Sequence, residues 1–304
     1  MEDKKIYTQE EISQMSLEER MLMYRSQTDY RLPKNSYVLC MLDGRKFSSG
    51  IKKRFQQPFD DDFIEMMNST AAYVCSQVQG AKFAYVQSDE ISIYMTDIND
   101  DQDDNNETTL FFDGRLCKMQ SIIAGLATAY FNRRIFEYVS RKKLPQWDTT
   151  TEYIEPQERI ISELEHWPYY HFDAKVWTVP AITDVVAWGI FRQLDCVRNS
   201  KQQAAQTYLP HKALLNKHTD EQIEMLLKIC RIDWNDYEAG KKYGRFIYKE
   251  KELHTREFKG EQIEYERSVW KAHDGCDLTV AENRDWLYNQ ITKGNNIEVD
   301  SNIY

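Results

Sequence analysis

Nowhere in this chain of 304 residues do 18 apolar residues follow one another, and the opening MEDKKIYTQEEISQ has no apolar stretch of the kind a secretory leader needs. Cysteine is sparse: Cys40, Cys75, Cys117, Cys196, Cys230 and Cys276 are scattered, with no CxxC pair. That spacing fits small core residues in a reduced compartment better than a disulfide framework. The six histidines (166, 171, 211, 218, 254, 273) form neither HExxH nor a Cys/His zinc spacing, and no Ser-His-Asp set is evident. Basic residues are outnumbered, 39 Lys and Arg against 49 Asp and Glu, for a net charge of -10. A protein that coats nucleic acid indiscriminately is thereby excluded, because basic surface carries affinity for phosphates. These absences lead to the expectation of a soluble, cytoplasmic protein with no membrane segment.

Acid is concentrated in one tract, DINDDQDDNNE, from Asp97 to Glu107. Its alternation imitates a calcium loop, but Gln102 stands where the sixth position needs glycine and Thr108 where the twelfth needs glutamate. A solvated loop is the better reading.

Ahead of a core, residues 1–34 are charged and amphipathic, with Thr8 and Ser16 placed as helix N-caps. We expect an N-terminal helical extension there. Tyr37 to Leu42 is a dense β-forming run that stops at Asp43 and Gly44. From Pro58 the period changes: Asp60 to Asp62 suit a first helical turn, apolar residues recur at helical spacing, and Gly80 ends the pattern. AKFAYVQSDEISIYM then alternates on both sides of QSDE, which predicts two antiparallel strands and a tight turn. A long helix is predicted after Gly114, with no proline until Pro145. A linker leads to a strand in HFDAKVWTVP, and a further helix runs from Thr183 or Asp184 to about Tyr208. The order is β-α-β-β-α-β, so the expected fold is α+β, a ferredoxin-type core with additional helices. Residues 35–250 form the expected catalytic domain, and 251–304 are expected as a helical or irregular appendage.

In such a sheet the end of the first strand lies beside the central hairpin turn, bringing Asp43 next to Asp89 and Glu90. Carboxylates so close repel unless a divalent cation neutralises them, and hard oxygen donors select Mg²⁺. Such a pair can hold two metals for chemistry at phosphates. Gly44 leaves room for metal or phosphate to approach the backbone. Read singly, Asp-Gly is a turn and Ser-Asp-Glu a polar hairpin tip; read together, they favour a metal site. Arg115 and Lys118, one turn apart at the start of the long helix, are candidates for docking a triphosphate. Arg133 and Arg134 crowd the same helix with Arg141, Lys142 and Lys143, and Lys241, Lys242 and Arg245 follow a predicted turn. Both groups are candidates for a phosphate track, or else for a merely solvated surface. Arg192 and Asn199 share one helix, within reach of nucleotide or RNA.

LDGRKF, FAYVQSDEISI, HFDAKV and FRQLDCVRNS, in this order, resemble the motifs of the tRNA-histidine guanylyltransferase superfamily over about residues 35 to 250. The resemblance implies a polymerase-palm-like domain that adds nucleotides to a tRNA 5′ end in the 3′-to-5′ direction. The 5′-monophosphate is activated with ATP or GTP, the 3′-hydroxyl of an incoming NTP attacks, and pyrophosphate leaves. It further implies two Mg²⁺ ions on Asp43 and Asp89 with the Gly44 carbonyl, and Glu90 in support. Arg45, Lys46, Phe47, Ser88, Arg115 and Lys118 are implied to bind nucleotide. Arg192, Asn199, Arg133, Arg134, Lys241 and Lys242 are assigned to tRNA, and the assembly is expected to be a homotetramer. VRNSKQQ stands at 197–203 where the eukaryotic enzymes have HINNLYN, Ser48 replaces a histidine, and Lys175 an arginine. These departures resemble the guanylyltransferase-like branch associated with template-dependent tRNA 5′-end repair. Strict guanylyltransfer to tRNA-His, a non-catalytic RNA-binding module of the same shape, and a palm-fold cyclase or conventional polymerase stay open as alternatives.

Overall fold

The computed structural model describes residues 7–51, 53–98, 109–143, 156–258 and 261–292. Most of the acidic tract, and the linker holding Pro145 and Trp147, lie outside the described residues. The strands are β1 (Tyr37–Arg45), β2 (Ala81–Gln87), β3 (Glu90–Thr96), β4 (His171–Val179), β5 (Arg245–Phe258) and β6 (Glu261–Asp274). The helices begin with α1 (Gln9–Gln14), α2 (Leu17–Ser26), α3 (Phe47–Ile51) and α4 (Asp61–Gln77). They continue with α5 (Leu116–Lys143), α6 (Pro156–Glu165), α7 (Ile182–Tyr208) and α8 (His211–Leu214), then α9 (Thr219–Met225), α10 (Ala239–Tyr243) and α11 (Ala281–Ile291).

Local chemistry explains most boundaries. Thr8 and Ser16 close capping boxes with Glu11 and Glu19, and Asp60 caps α4 by accepting from the Phe63 N–H at 2.9 Å. Along α5, Met119, Ile123, Ala127, Phe131, Ile135 and Val139 repeat every four residues and are all buried, which gives the helix one continuous apolar stripe. No helix among the described residues is long and apolar enough to cross a membrane.

All strand pairs are antiparallel, in the order β4-β1-β3-β2-β5-β6. The first four in this order make the expected ferredoxin-type core. One face packs on α4 and α5 through a cluster that includes Leu42, Met67, Ile91 and Phe131; the other packs on α7 and α11 around Leu39, Tyr94, Val186 and Leu287. Because both faces are covered, the central strands are buried almost throughout.

The segment from 251 onward differs from its expectation. Residues 251–258 and 261–274 are strand, and the boundary expected at 250/251 falls inside β5. β5 meets β2 only from Arg245 to Tyr248, while it pairs with β6 along its whole length, so the distal part is a two-stranded ribbon beyond the sheet. Neither face of a free ribbon needs to be apolar. The segment is accordingly rich in charge, and its apolar residues Leu253, Ile263 and Tyr265 are exposed.

Candidate active site

β1 delivers Asp43 to the end of the sheet, directly across from Glu90 on β3 and Asp173 on β4. Residues opposite one another on adjacent strands share a face, so three acids stand in a row. The β2–β3 turn brings in Asp89 from above. The Gly44 N–H donates to the Asp89 carbonyl at 3.1 Å, and Ser88 turns the hairpin with a left-handed φ of 45°. A Cβ on Gly44 would stand 2.8 Å from the Phe47 ring and 2.9 Å from the Asp89 Cβ. Glycine is therefore required here by the packing of strand end against hairpin, whatever else approaches its backbone.

Burial pushes the Asp89 carboxyl up to about 6, with the Asp43 charge adding to it. Asp43 is raised as well, by burial and by Asp173, against the pull of Lys175 and Arg192. Two neighbouring acids whose ionisation is opposed first by burial and then by each other's charge or that of Asp173 are a donor set suited to a hard cation. Among the described residues no group of three or more His, Cys, Asp or Glu side chains is placed to hold a metal ion. An open pair of carboxylates fits Mg²⁺, which keeps water and substrate phosphates as its remaining ligands.

Glu90 is held differently. Arg192 donates to it twice, Nε to Oε1 at 2.7 Å and Nη2 to Oε2 at 2.6 Å, and also to Asp195 at 2.9 Å. Burial raises the Glu90 carboxyl although Arg192 pulls the other way; for Arg192 burial works against the charge, yet Glu90 and Asp195 raise its hold on the proton overall. The two directions oppose each other on the charge state of Glu90, and the short fork between nearly buried partners decides for an ion pair. Glu90 is thus paired with Arg192, and Arg192, expected on tRNA, is committed inside the protein.

Asp43, Asp89 and Glu90 line a cleft of about 530 Å³ between the sheet end, the segment Gln56–Asp60 and the second half of α7. Its walls carry amides from Gln56, Gln57, Gln87, Asn199, Gln202, Gln203 and Gln206, the rings of Phe59 and Phe63, and Arg245. Ser88 and Asn199 line it as well, the latter 3.3 Å from Asp195.

Other expected residues are placed elsewhere. Arg45 and Lys46 line a neighbouring cleft of about 350 Å³ with Tyr169, Tyr170 and His171. Phe47 does not face nucleotide: it is 1% exposed, with Phe131, Tyr170 and Phe172 packed around it. Arg115 and Lys118 sit at the opposite end of the sheet. Leu116 bonds back to Tyr30 and Arg115 faces Asp29, whereas Thr128, further along α5, is the residue that reaches Phe172 beside Gly44. At 1.5 Å per residue, roughly 20 Å of helix separates the Arg115 end from that level, so one chain does not bring these cations to its own carboxylates.

Of the cations expected on tRNA, Arg134 is paired with Glu137 and Glu65, and Lys241 with Asp61 and Glu238. Arg133 is exposed and bonded to Glu137, and Lys242 bonds to the Asn235 carbonyl over the Trp234 ring. Arg245, grouped with them by its neighbours in sequence, is buried instead. Asp173 and Asp195 are not among the site residues expected from sequence. The alternation of HFDAKV, which turns Asp173 to the face opposite Phe172, was the available signal for the first; nothing local marked the second.

A family model described as tRNAHis guanylyltransferase matches residues 18–180, starting earlier and ending sooner than the motif resemblance. The tRNA(His) guanylyltransferase of Neurospora crassa is 24% identical over 187 residues, 57% of this chain and 49% of the relative. That of Schizosaccharomyces pombe is 25% identical over 143 residues, 45% of this chain and 49% of the relative. The chain thus spans about half the length of the curated relatives it matches. Among solved structures, a bacterial tRNA(His) guanylyltransferase-like protein in complex with ATP aligns with a TM-score of 0.69 at 28% identity, over 91% of this chain and 99% of that one. A bacterial tRNA(His) guanylyltransferase-like protein in complex with GTP gives 0.64 at 25%, over 90% and 98%.

Proposed function

This chain belongs to the tRNAHis guanylyltransferase family, and on that premise we propose that it is a Mg²⁺-dependent nucleotidyltransferase that extends tRNA 5′ ends in the 3′-to-5′ direction, with repair of truncated ends as its task. The observation that carries the reading is the side-by-side placement of Asp43 and Asp89 on one wall of the cleft. Structures of similar proteins hold ATP and GTP, which supports reading this cleft as a nucleotide site.

Asp43 and Asp89 would hold Mg²⁺, with the Gly44 carbonyl as a further donor. Bound there, the metal supplies charge neutralisation at the phosphates and favours the ionised attacking hydroxyl. The chain's own part is positioning: the Gly44–Asp89 contact fixes the carboxylates relative to each other, and Arg192 keeps Glu90 from adding a third free charge. Transfer of a nucleotidyl group needs such placement more than a protein nucleophile. Arg45 and Lys46, in the adjoining cleft, are suited to a second phosphate-bearing group such as the RNA 5′ end. A homotetramer is part of the proposal.

The test is extension of 5′-labelled tRNA-His and of a tRNA lacking its first nucleotide, with Mg²⁺, ATP and all four NTPs. Products longer at the 5′ end, absent with Asp43→Ala/Asp89→Ala, are expected, and preference for the truncated RNA is expected of a repair enzyme. Intact RNA binding without extension on either substrate would overturn the proposal in favour of a binding module. Sedimentation of the same preparation tests the tetramer.

A further inference from the structure

The loop between α6 and β4 presents Tyr169 with 84% of its surface in solvent, the most exposed large hydrophobic side chain among the described residues. The loop is nevertheless fixed on both sides of that ring. Arg54 donates to the carbonyls of Gly50 and His166 and lies over the Trp167 ring. Asn132 on α5 accepts from the Tyr170 N–H at 3.1 Å and donates to the Tyr170 carbonyl at 2.7 Å. Trp167 and Tyr170 are packed inward, against Phe55 and Phe47. Tyr169 is thus a large ring on an already ordered backbone, whose neighbours hold the places in the core. Such a ring is a platform for a flat group arriving from outside, and little order has to be imposed on it when that group binds.

The register of β1 and β4 says what that group is attached to. Asp43 faces Asp173, and two residues further along β1 Arg45 faces His171. Positions two apart share a face of the sheet, so the acids and the Arg45–His171 pair form successive rows about 7 Å apart. Tyr169 comes two residues before His171 and lines the same cleft of about 350 Å³. No acid stands among the described walls of that cleft, in a chain whose net charge is -10. Phosphate suits the row of Arg45 and His171, beside the acids that would hold metal, and a base suits the ring beyond it. Acids, cations and ring therefore follow one another in the order needed by a nucleotide whose 5′-phosphate is the reacting group. Because Tyr169 opens to solvent, a nucleotide lying on it can continue into a polynucleotide.

We propose that Tyr169 is the stacking platform for the base of the RNA's 5′-terminal nucleotide, with Arg45 and the His171 ring on its 5′-phosphate, so that this cleft positions the end to be extended. Every base has a face to stack, so the contact holds the end without reading its sequence. The inference rests on the proposed activity at RNA 5′ ends.

The experiment is equilibrium binding of the truncated, 5′-phosphorylated tRNA to the full chain with Mg²⁺ and no free nucleotide, beside the same RNA with an abasic residue at its 5′ end. The abasic RNA is expected to bind about tenfold more weakly. Tyr169→Ala, a change at an exposed position that leaves the core in place, is expected to weaken the intact RNA by the same factor and the abasic RNA not at all, and Tyr169→Phe to restore the difference. Exchanging the terminal base among all four is expected to alter affinity by no more than about twofold. Arg45→Met is expected to weaken the 5′-phosphorylated RNA and not its 5′-hydroxyl form. Equal binding of intact and abasic ends by the unaltered protein, or an equal loss on both with Tyr169→Ala, would overturn the assignment. So would a changed sedimentation of Tyr169→Ala with RNA binding intact, which would give the ring to a second copy of the chain. Extension of the truncated tRNA by the unaltered protein alongside any of these results leaves the activity at 5′ ends standing; neither binding nor extension would remove that reading, and the inference with it.

Discussion

Arg192 on α7 grips Glu90 on β3 through two parallel hydrogen bonds, of 2.7 and 2.6 Å, with both side chains nearly removed from solvent. Charges paired in this way are costly to separate. Arg192→Ala is expected to destabilise the fold by about 3 kcal/mol, because Glu90 and Asp195 keep their charge without a partner. Arg192→Met combined with Glu90→Leu, which removes both charges at once, is expected to lose less than the sum of the single changes. Urea denaturation of the unaltered protein, Arg192→Met, Glu90→Leu and the double variant closes the cycle; additive losses would show that the pair is not coupled.

Asp43 and Asp89 should behave in the opposite sense. Each is raised by burial and by its acidic neighbours, so neutralising one relieves strain in the metal-free protein. Asp89→Asn is expected to raise the melting temperature without Mg²⁺, to abolish the stabilisation that Mg²⁺ gives the unaltered protein, and to lower nucleotidyl transfer by about 100-fold or more. Thermal scans with and without the metal check the first two, and the extension assay the third.

Gly44 is the contact through which strand and hairpin are aligned. Gly44→Ala places a methyl group into the Phe47 ring and the Asp89 Cβ, and one of them must shift. The expected cost is about 1–3 kcal/mol, with a larger fall in transfer rate than in nucleotide affinity, since geometry between the acids is what changes. Comparing kcat with KM separates the two.

Phe47 provides a control for the site assignments. Phe47→Ala, which empties the ring cluster of Phe131, Tyr170 and Phe172, is expected to cost about 3–5 kcal/mol and to leave the nucleotide affinity of the molecules that stay folded nearly unchanged. Titration below the melting temperature measures this.

What could be read from sequence is what neighbours in sequence decide. The strand ending at Asp43, the hairpin at Ser88, and α4 with its cap at Asp60 all announce themselves by period and turn chemistry within about 20 residues, and the ferredoxin-type order follows from them. The placement of long side chains does not. Phe47 looks like a motif residue until Phe131 and Phe172 are seen to enclose it. Arg192 and Arg245 look like surface cations in basic or mixed stretches, and their burial is decided by Glu90 and Asn68, partners far away in the chain. Arg115 and Lys118 open the long helix as their spacing predicts, but the direction in which α5 runs carries them to the other end of the sheet. The ribbon of β5 and β6 is not legible in the sequence because neither of its faces is asked to be apolar.

The pairing of β2 with the first residues of β5 also sets an order of events in synthesis. The four-stranded core can assemble once β4 has emerged, but the outer side of β2 between Phe83 and Val86 then presents unpaired N–H and C=O groups. Only Arg245 to Tyr248, made much later, cover them. Until then the nascent chain carries an open strand edge beside the carboxylate-lined cleft, a surface to which another emerging copy can add a strand, and a release of the chain before Arg245 would make that exposure permanent.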